Sequence, residues 1–250
     1  MMGLSIAAAT DTGRVRSQNQ DTCVAERLPW PDTWLLAVAD GMGGHHGGQV
    51  ASRLAVDTLK SVLHECGNER PSLQLLRNAF HAANQCLLET AAGDPHLDGM
   101  GTTLTAAIWC GNQLLIAHVG DSRAYRINHR KCEQLTDDHS LVAEMVRNGD
   151  LRWDEALFHP QRHLLLRALG TSRNFEVDAC TYEMDAGDLL LLVTDGLTSV
   201  VREDEIQKIL SQCTLTEFPE RLIQLANQRG GYDNITVVAA RRDAGEGRQP

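Results

Sequence analysis

A chain of 250 residues, 42% hydrophobic and 22% charged, has ordinary globular composition and a length that suits one large domain or two small ones. It has no run approaching the roughly 20 apolar residues of a membrane span, and its mildly apolar start, residues 1–9, carries no basic residue and is too short for a signal peptide; the expectation is a cytoplasmic protein with no membrane contact. A net charge of −10, with Lys60, Lys131 and Lys208 as the lysines, leaves no basic stripe for nucleic acid, and seven cysteines without a C-x-x-C pair read as free thiols, not as zinc ligands or a disulfide framework.

In chain order, an apolar run over 35–39 predicts the first clear strand. Two long helices follow. The first spans 49–66, with Ala51, Leu54, Ala55, Leu59, Val62 and Leu63 on one side and Gly67 after it. The second spans 72–92, where Leu73, Leu76, Phe80, Ala83 and Leu87 recur at helical spacing. Strands are predicted over 103–110, 114–119 and 123–127, the first two joined by a hairpin signal at Gly111-Asn112. A helix over 140–148, a strand over 188–194, helices over 203–213 and 217–229, and a strand over 235–240 complete the pattern. Residues 243–250 are Gly-rich and polar and read as a flexible tail beyond a domain over 1–242. The strands cluster and do not alternate strictly with helices, which favours an α+β arrangement of antiparallel sheets over a doubly wound fold.

The chemistry-bearing feature is a set of aspartates beside glycines at strand rims. Two buried-strand patterns run into Asp40-Gly41 and Asp195-Gly196, a third is followed by Gly120-Asp121, and a fourth begins just after Gly231-Tyr232-Asp233. Asp-Gly is by default a turn; repeated at strand ends, it also supplies the oxygen donors that hard cations such as Mg2+ and Mn2+ take. Spacing alone does not say whether these carboxylates converge. The rival phosphate chemistries lack their motifs. There is no G-x-x-x-x-G-K-[ST] loop, no Cys followed six positions on by Arg, no D-x-D and no G-x-S-x-G.

Six segments together resemble the bacterial PP2C-type, metal-dependent protein serine/threonine phosphatases (the PPM family). They are the run from Thr10 to Asp21, Val38-Ala39-Asp40-Gly41-Met42-Gly43-Gly44, Gly99-Met100-Gly101-Thr102-Thr103, the run from His118 to Tyr125, Thr194-Asp195-Gly196-Leu197, and Asp233-Asn234-Ile235-Thr236. The resemblance covers roughly residues 5–241 and implies a four-layer α/β/β/α sandwich. It also implies hydrolysis of phosphoserine and phosphothreonine in proteins by water activated at two Mn2+ or Mg2+ ions. Asp40 would bridge the two ions, the Gly41 carbonyl would bind one, and Asp195 and Asp233 would hold the other. Asp121 would help hold a third, weaker ion, with Asp21 and Gln20 close by, touching water or neighbouring ligands. Arg16 would bind two phosphate oxygens through its planar fork, while Arg14 reads as a surface residue.

The implied partners are phosphorylated Ser/Thr proteins and a Hanks-type Ser/Thr kinase whose work the enzyme reverses, with a type VI secretion locus as one setting and a monomer as the working form. Residues 139–162 resemble the family's mobile flap, through which charged side chains and Trp153 would reach a substrate. A metallophosphatase of small phosphate esters is the alternative enzyme. A pseudophosphatase that only binds partners is the non-catalytic alternative, and the aspartates all present count against it.

Two positions depart from the better-studied relatives. Met42 stands where many carry a His general acid, which leaves the proton donor to water; His45 and His46, in a Gly-rich loop, read as solvated. Gln20 stands where many carry Glu, so the amide can hydrogen-bond water but adds no charge. Gln20→Glu is therefore expected to tighten Mn2+ binding, roughly tenfold as for outer-sphere partners generally. Metal titration beside wild type reads the effect, and equal affinities would remove the idea.

Overall fold

The protein is described here from a computed structural model covering residues 3–44, 46–67, 70–156 and 158–242. The 243–250 stretch and His45 lie outside the described residues. Among the described residues, eleven strands run in chain order: β1 (Leu4–Asp11), β2 (Asp21–Arg27), β3 (Thr33–Met42), β4 (Gly101–Thr102), β5 (Leu104–Cys110), β6 (Gln113–Val119), β7 (Arg123–Ile127), β8 (Cys132–Gln134), β9 (Asp178–Glu183), β10 (Leu189–Val193) and β11 (Ile235–Arg242). The α-helices are α1 (Gly47–Glu65), α2 (Leu73–Gly93), α3 (Leu141–Asn148), α4 (Trp153–Ala156), α5 (Asp195–Thr198), α6 (Glu203–Leu210) and α7 (Phe218–Gln228). One sheet has the order β1-β11-β10-β7-β8, the other β2-β3-β5-β6-β9, with β4 paired to the end of β3, and neighbours are antiparallel throughout.

The period of two along each strand sorts the side chains into layers. On β3, Leu35, Ala37 and Ala39 face a cluster built with Ala55, Leu59, Leu63, Leu76 and Phe80 of α1 and α2. Leu36 and Val38 turn the other way and meet Leu190, Leu192, Val238 and Ala240 of the opposite sheet. Leu189, Leu191 and Val193 then point outward to Leu197, Ile206, Phe218 and Leu222. Both faces of the central strands are covered, which is why they read as unbroken apolar runs. The layers are α/β/β/α, as expected.

The central strands and long helices match the sequence pattern closely. The strands it does not reveal are the two-residue β4 and β1, β2, β8 and β9, and the last four are the sheet edges. Their residues are largely half-exposed or exposed, so no continuous apolar run marks them. One boundary differs near the aspartates. Instead of stopping at Asp40, β3 continues through Gly41 to Met42 because β4 pairs with it there, Gly41 opposite Thr102.

Leu192 is fully buried between the sheets. Leu192→Ala is expected to lower unfolding stability by about 3 kcal/mol, as large-to-small core changes do. Denaturant unfolding reads it, and a loss below about 1 kcal/mol would mean that the intersheet layer closes over the void.

Candidate metal centre

The aspartates come from separate elements but meet at one end of the sandwich, where β2 and β3 of one sheet lie against β10 and β11 of the other. Asp40 lies near the end of β3, and Asp21, which opens β2, is its cross-strand neighbour. Asp195 follows β10 as the first residue of α5, Asp233 stands just before β11, and Asp121 lies between β6 and β7. Asp40 and Asp195 lie close enough for each to act on the other's ionisation. Asp121 and Asp195 line one cleft. Arg16, from the arm between β1 and β2, donates from Nη2 to Asp233 Oδ2 at 2.7 Å.

Backbone packing fixes this arrangement. A Cβ on Gly41 would lie 1.9 Å from the Gly48 carbonyl oxygen, and one on Gly48 would lie 2.6 Å from the Gly41 carbonyl oxygen. Only two glycines let α1 start this close to β3. Likewise, a Cβ on Gly196 would lie 1.9 Å from the Asn234 carbonyl oxygen, so the Asp195 and Asp233 loops touch backbone to backbone. Thr103 Oγ1 accepts from Asp40 N at 2.9 Å and pairs with Ser122 Oγ at 2.8 Å, joining the Asp40 and Asp121 positions through two hydroxyls. His139 receives Gly120 N on Nδ1 at 3.1 Å and donates its own backbone N–H to Gly120 O at 2.7 Å, clamping the residue before Asp121. Asn234 donates from Nδ2 to Thr12 O and Gln18 O, both at 2.9 Å, and accepts from Gln20 N at 2.8 Å. The arm carrying Arg16 is thereby pinned at both ends.

The electrostatics ask for a cation. Burial, followed by the charges of Asp21, Asp195, Asp121 and Asp233, holds Asp40 well above the usual carboxylate range. Asp121 is likewise pushed well up by burial and by Asp195 and Asp138. Asp195 is raised by burial and Asp233. Burial pushes Asp21 up to about 7 even though Thr194 and Thr236 donate to its Oδ2 at 2.8 and 2.7 Å. Arg123, the cation nearest in sequence to Asp121, is already held by a forked ion pair to Asp138, Nε–Oδ1 2.9 Å and Nη2–Oδ2 2.7 Å. Oδ1 of Asp21 and Oδ1 of Asp195 are both buried without a hydrogen-bond partner. Orphaned carboxylate oxygens in a crowded acidic site are what hard divalent ions satisfy. Among the described residues, no three His, Cys, Asp or Glu side chains are gathered tightly enough to hold a metal ion by themselves. The donors that would fit such ions are carboxylates on separate elements, completed by the Gly41 carbonyl and water.

The sequence pattern of the family described as Protein phosphatase 2C matches residues 12–236. The chain belongs to this family. The serine/threonine phosphatase stp of Listeria monocytogenes is 42% identical over 239 residues, 94% of each chain. Among solved structures, the serine/threonine phosphatase Stp1 of Staphylococcus aureus superposes with a TM-score of 0.90 at 36% identity, over 98% of this chain and 96% of that one. The catalytic domain of the serine threonine protein phosphatase PstP, solved in complex with two manganese ions, superposes at 0.87 with 37% identity, over 98% of this chain and all of that one.

For this phosphatase 2C chain, the structure brings Asp40, Asp195, Asp233, Asp121, Asp21, Gly41 and Arg16 to one place. Gln20 is close as well, but its Nε2 donates to Gly44 O at 3.2 Å, while its backbone carbonyl oxygen accepts from Gly41 N and Ser52 Oγ. His118 is a core residue, bonded to Thr105 Oγ1 at 2.8 Å and pushed down to about 4 by burial, so it stays neutral. His159 caps a turn at Gln161 N. His46 precedes α1 and makes no side-chain cap to it. The residues that sequence reasoning missed are those that hold the carboxylates: Thr103, Ser122, His139, Thr194, Asn234 and Thr236. Thr194 and Thr236 carried a faint signal, as polar residues at the ends of otherwise apolar strands; the others became meaningful only once their partners were in place.

The four raised aspartates set a pH dependence for the protein stripped of divalent ions. Their folded pKa values exceed the unfolded value of about 3.9, so between that value and the folded ones the native state binds more protons than the unfolded chain. Stability then falls as pH rises through this window, which for Asp21 extends to about 7. Chelated protein is expected to melt at higher temperature at pH 5.5 than at pH 7.5, and Mn2+ to abolish or reverse the difference. A chelated protein equally stable at both pH values would refute the crowding of charge described above.

Proposed function

We propose that the chain hydrolyses phosphoserine and phosphothreonine in proteins at a centre of two Mn2+ or Mg2+ ions, held by Asp40, the Gly41 carbonyl, Asp195 and Asp233, with Asp121 helping to hold a third, weaker ion. The observation that carries this reading is the convergence of buried carboxylates with orphaned oxygens at one sheet edge. When bound, such ions acidify water and offset the charge of a phosphoryl group. The side chains do the rest. Arg16 is more than half exposed and offers its planar fork to two phosphate oxygens, exchanging its ion pair with Asp233 for the substrate. Asp21, gripped by Thr194 and Thr236 through Oδ2, keeps Oδ1 free to accept a proton or hydrogen bond from water in the site. Met42 has no proton to give, so protonation of the leaving alkoxide falls to water.

The same reading sets a Hanks-type Ser/Thr kinase as the enzyme it opposes, with a type VI secretion locus as one setting and a cytoplasmic monomer over 1–242 as the working form. Among the described residues, no helix is long and apolar enough to cross a membrane.

Mn2+-dependent release of phosphate from phosphopeptides tests the assignment. Asp195→Asn is expected to lose at least about a hundredfold in rate, since even outer-sphere changes reach that size. Equal activity in both proteins would remove Asp195 from the centre, and turnover of small esters alone would favour the other enzyme class.

A further inference from the structure

The exposed large apolar side chains among the described residues are Val15, Trp153, Phe158, Leu164, Leu166 and Tyr232. A single exposed leucine needs no explanation; apolar surface gathered at a cleft does. Val15 and Tyr232 are the chain neighbours of Arg16 and Asp233, and the remaining four fall within 153–166. Trp153 lines the cleft that contains Asp121 and Asp195, with the Arg123 guanidinium 5.9 Å from its ring centre.

Leu164 and Leu166 are held in place by the backbone. Leu141 N donates to Leu164 O at 2.9 Å and Leu166 N donates to His139 O at 2.8 Å, around an antiparallel bridge between Ser140 and Leu165. In this extended stretch the alternation of side chains puts Leu164 and Leu166 on one face, 46% and 45% exposed. Arg167 lines the same groove as the two leucines, with its guanidinium engaged by Asp178 and Glu176. Both leucines line a groove with Met42, Pro160 and Ala168. The groove lies beside the acidic cleft: His163 lines both, and Met42 directly follows Gly41. A polypeptide whose phosphate reaches the aspartates has this groove beside it.

We propose that Met42, Leu164 and Leu166 form a subsite for an apolar side chain of the substrate polypeptide, flanking the phosphorylated residue. The proposal rests on protein dephosphorylation as the function and adds a substrate preference to it. It also gives Met42 a role that a proton-donating His would not fill: an unbranched thioether adapts to an apolar guest.

The test uses phosphothreonine peptides in which Leu or Ser is scanned through the flanking positions, with p-nitrophenyl phosphate as a substrate that has no flank. Wild type is expected to favour Leu at one flanking position by about tenfold in kcat/KM, the size of a modest apolar contact. Leu164→Ser with Leu166→Ser is expected to erase that preference with p-nitrophenyl phosphate turnover unchanged, and Leu164→Met with Leu166→Met to retain it. Circular dichroism checks the fold, and if the double Ser variant does not fold, each single Ser variant must reduce the preference. Wild type without a flank preference, or a preference that survives in the folded Ser variants, overturns the subsite. So does a concentration-dependent dimer that the Ser variants dissolve, which would assign the groove to a second copy of the chain. Failure to hydrolyse any substrate, p-nitrophenyl phosphate included, would strike the function itself and the subsite with it.

Discussion

The rest of the structure is organised around a repulsion that it holds in place. Asp21, Asp40, Asp121 and Asp195 are pressed together at one edge of the sandwich, each raised above its ordinary pKa by burial and by its neighbours. Left to itself, a chain would splay such groups into solvent. Here the backbone forbids it, because the glycine contacts at Gly41–Gly48 and Gly196–Asn234 fix the loops from which the carboxylates project. A divalent cation then becomes part of the electrostatic balance of the folded state.

The four layers supply the stiffness that this requires. Each central strand is buried on both faces, against helices on one side and the opposite sheet on the other. Displacing Asp40 would mean moving β3 within that packing, and interiors this dense transmit strain and do not absorb it. Hydroxyls and amides complete the job at short range. Thr103 and Ser122 link two of the carboxylate positions, Thr194 and Thr236 grip a third, and Asn234 pins the arm that carries Arg16. The cleft is thus rigid on its acidic floor, while its rim presents apolar side chains suited to a polypeptide guest.

Legibility in the sequence followed burial. Strands covered on both faces announced themselves as apolar runs, and the two long helices by their spacing. The edge strands β1, β2, β8 and β9 did not, because half-solvated strands mix polar and apolar residues without a clear period. The aspartates were visible because Asp-Gly interrupts an apolar run. Their supports were not, because a threonine or asparagine has no meaning in a pattern until its partner, up to 226 residues away, is beside it.

The sequence by itself determined the α+β class, the aspartates and, through its motifs, the family resemblance that implied the layers, since hydrophobic period and local motifs are properties of neighbouring residues. Convergence was decided only by the tertiary structure. Strand order brings Asp40, Asp121, Asp195 and Asp233 to one end, and that order depends on which apolar faces pack together, which no local window contains. The orphaned oxygens of Asp21 and Asp195 and the groove running from Met42 to Leu166 belong to the same category. They are consequences of where separate segments stop relative to one another in space.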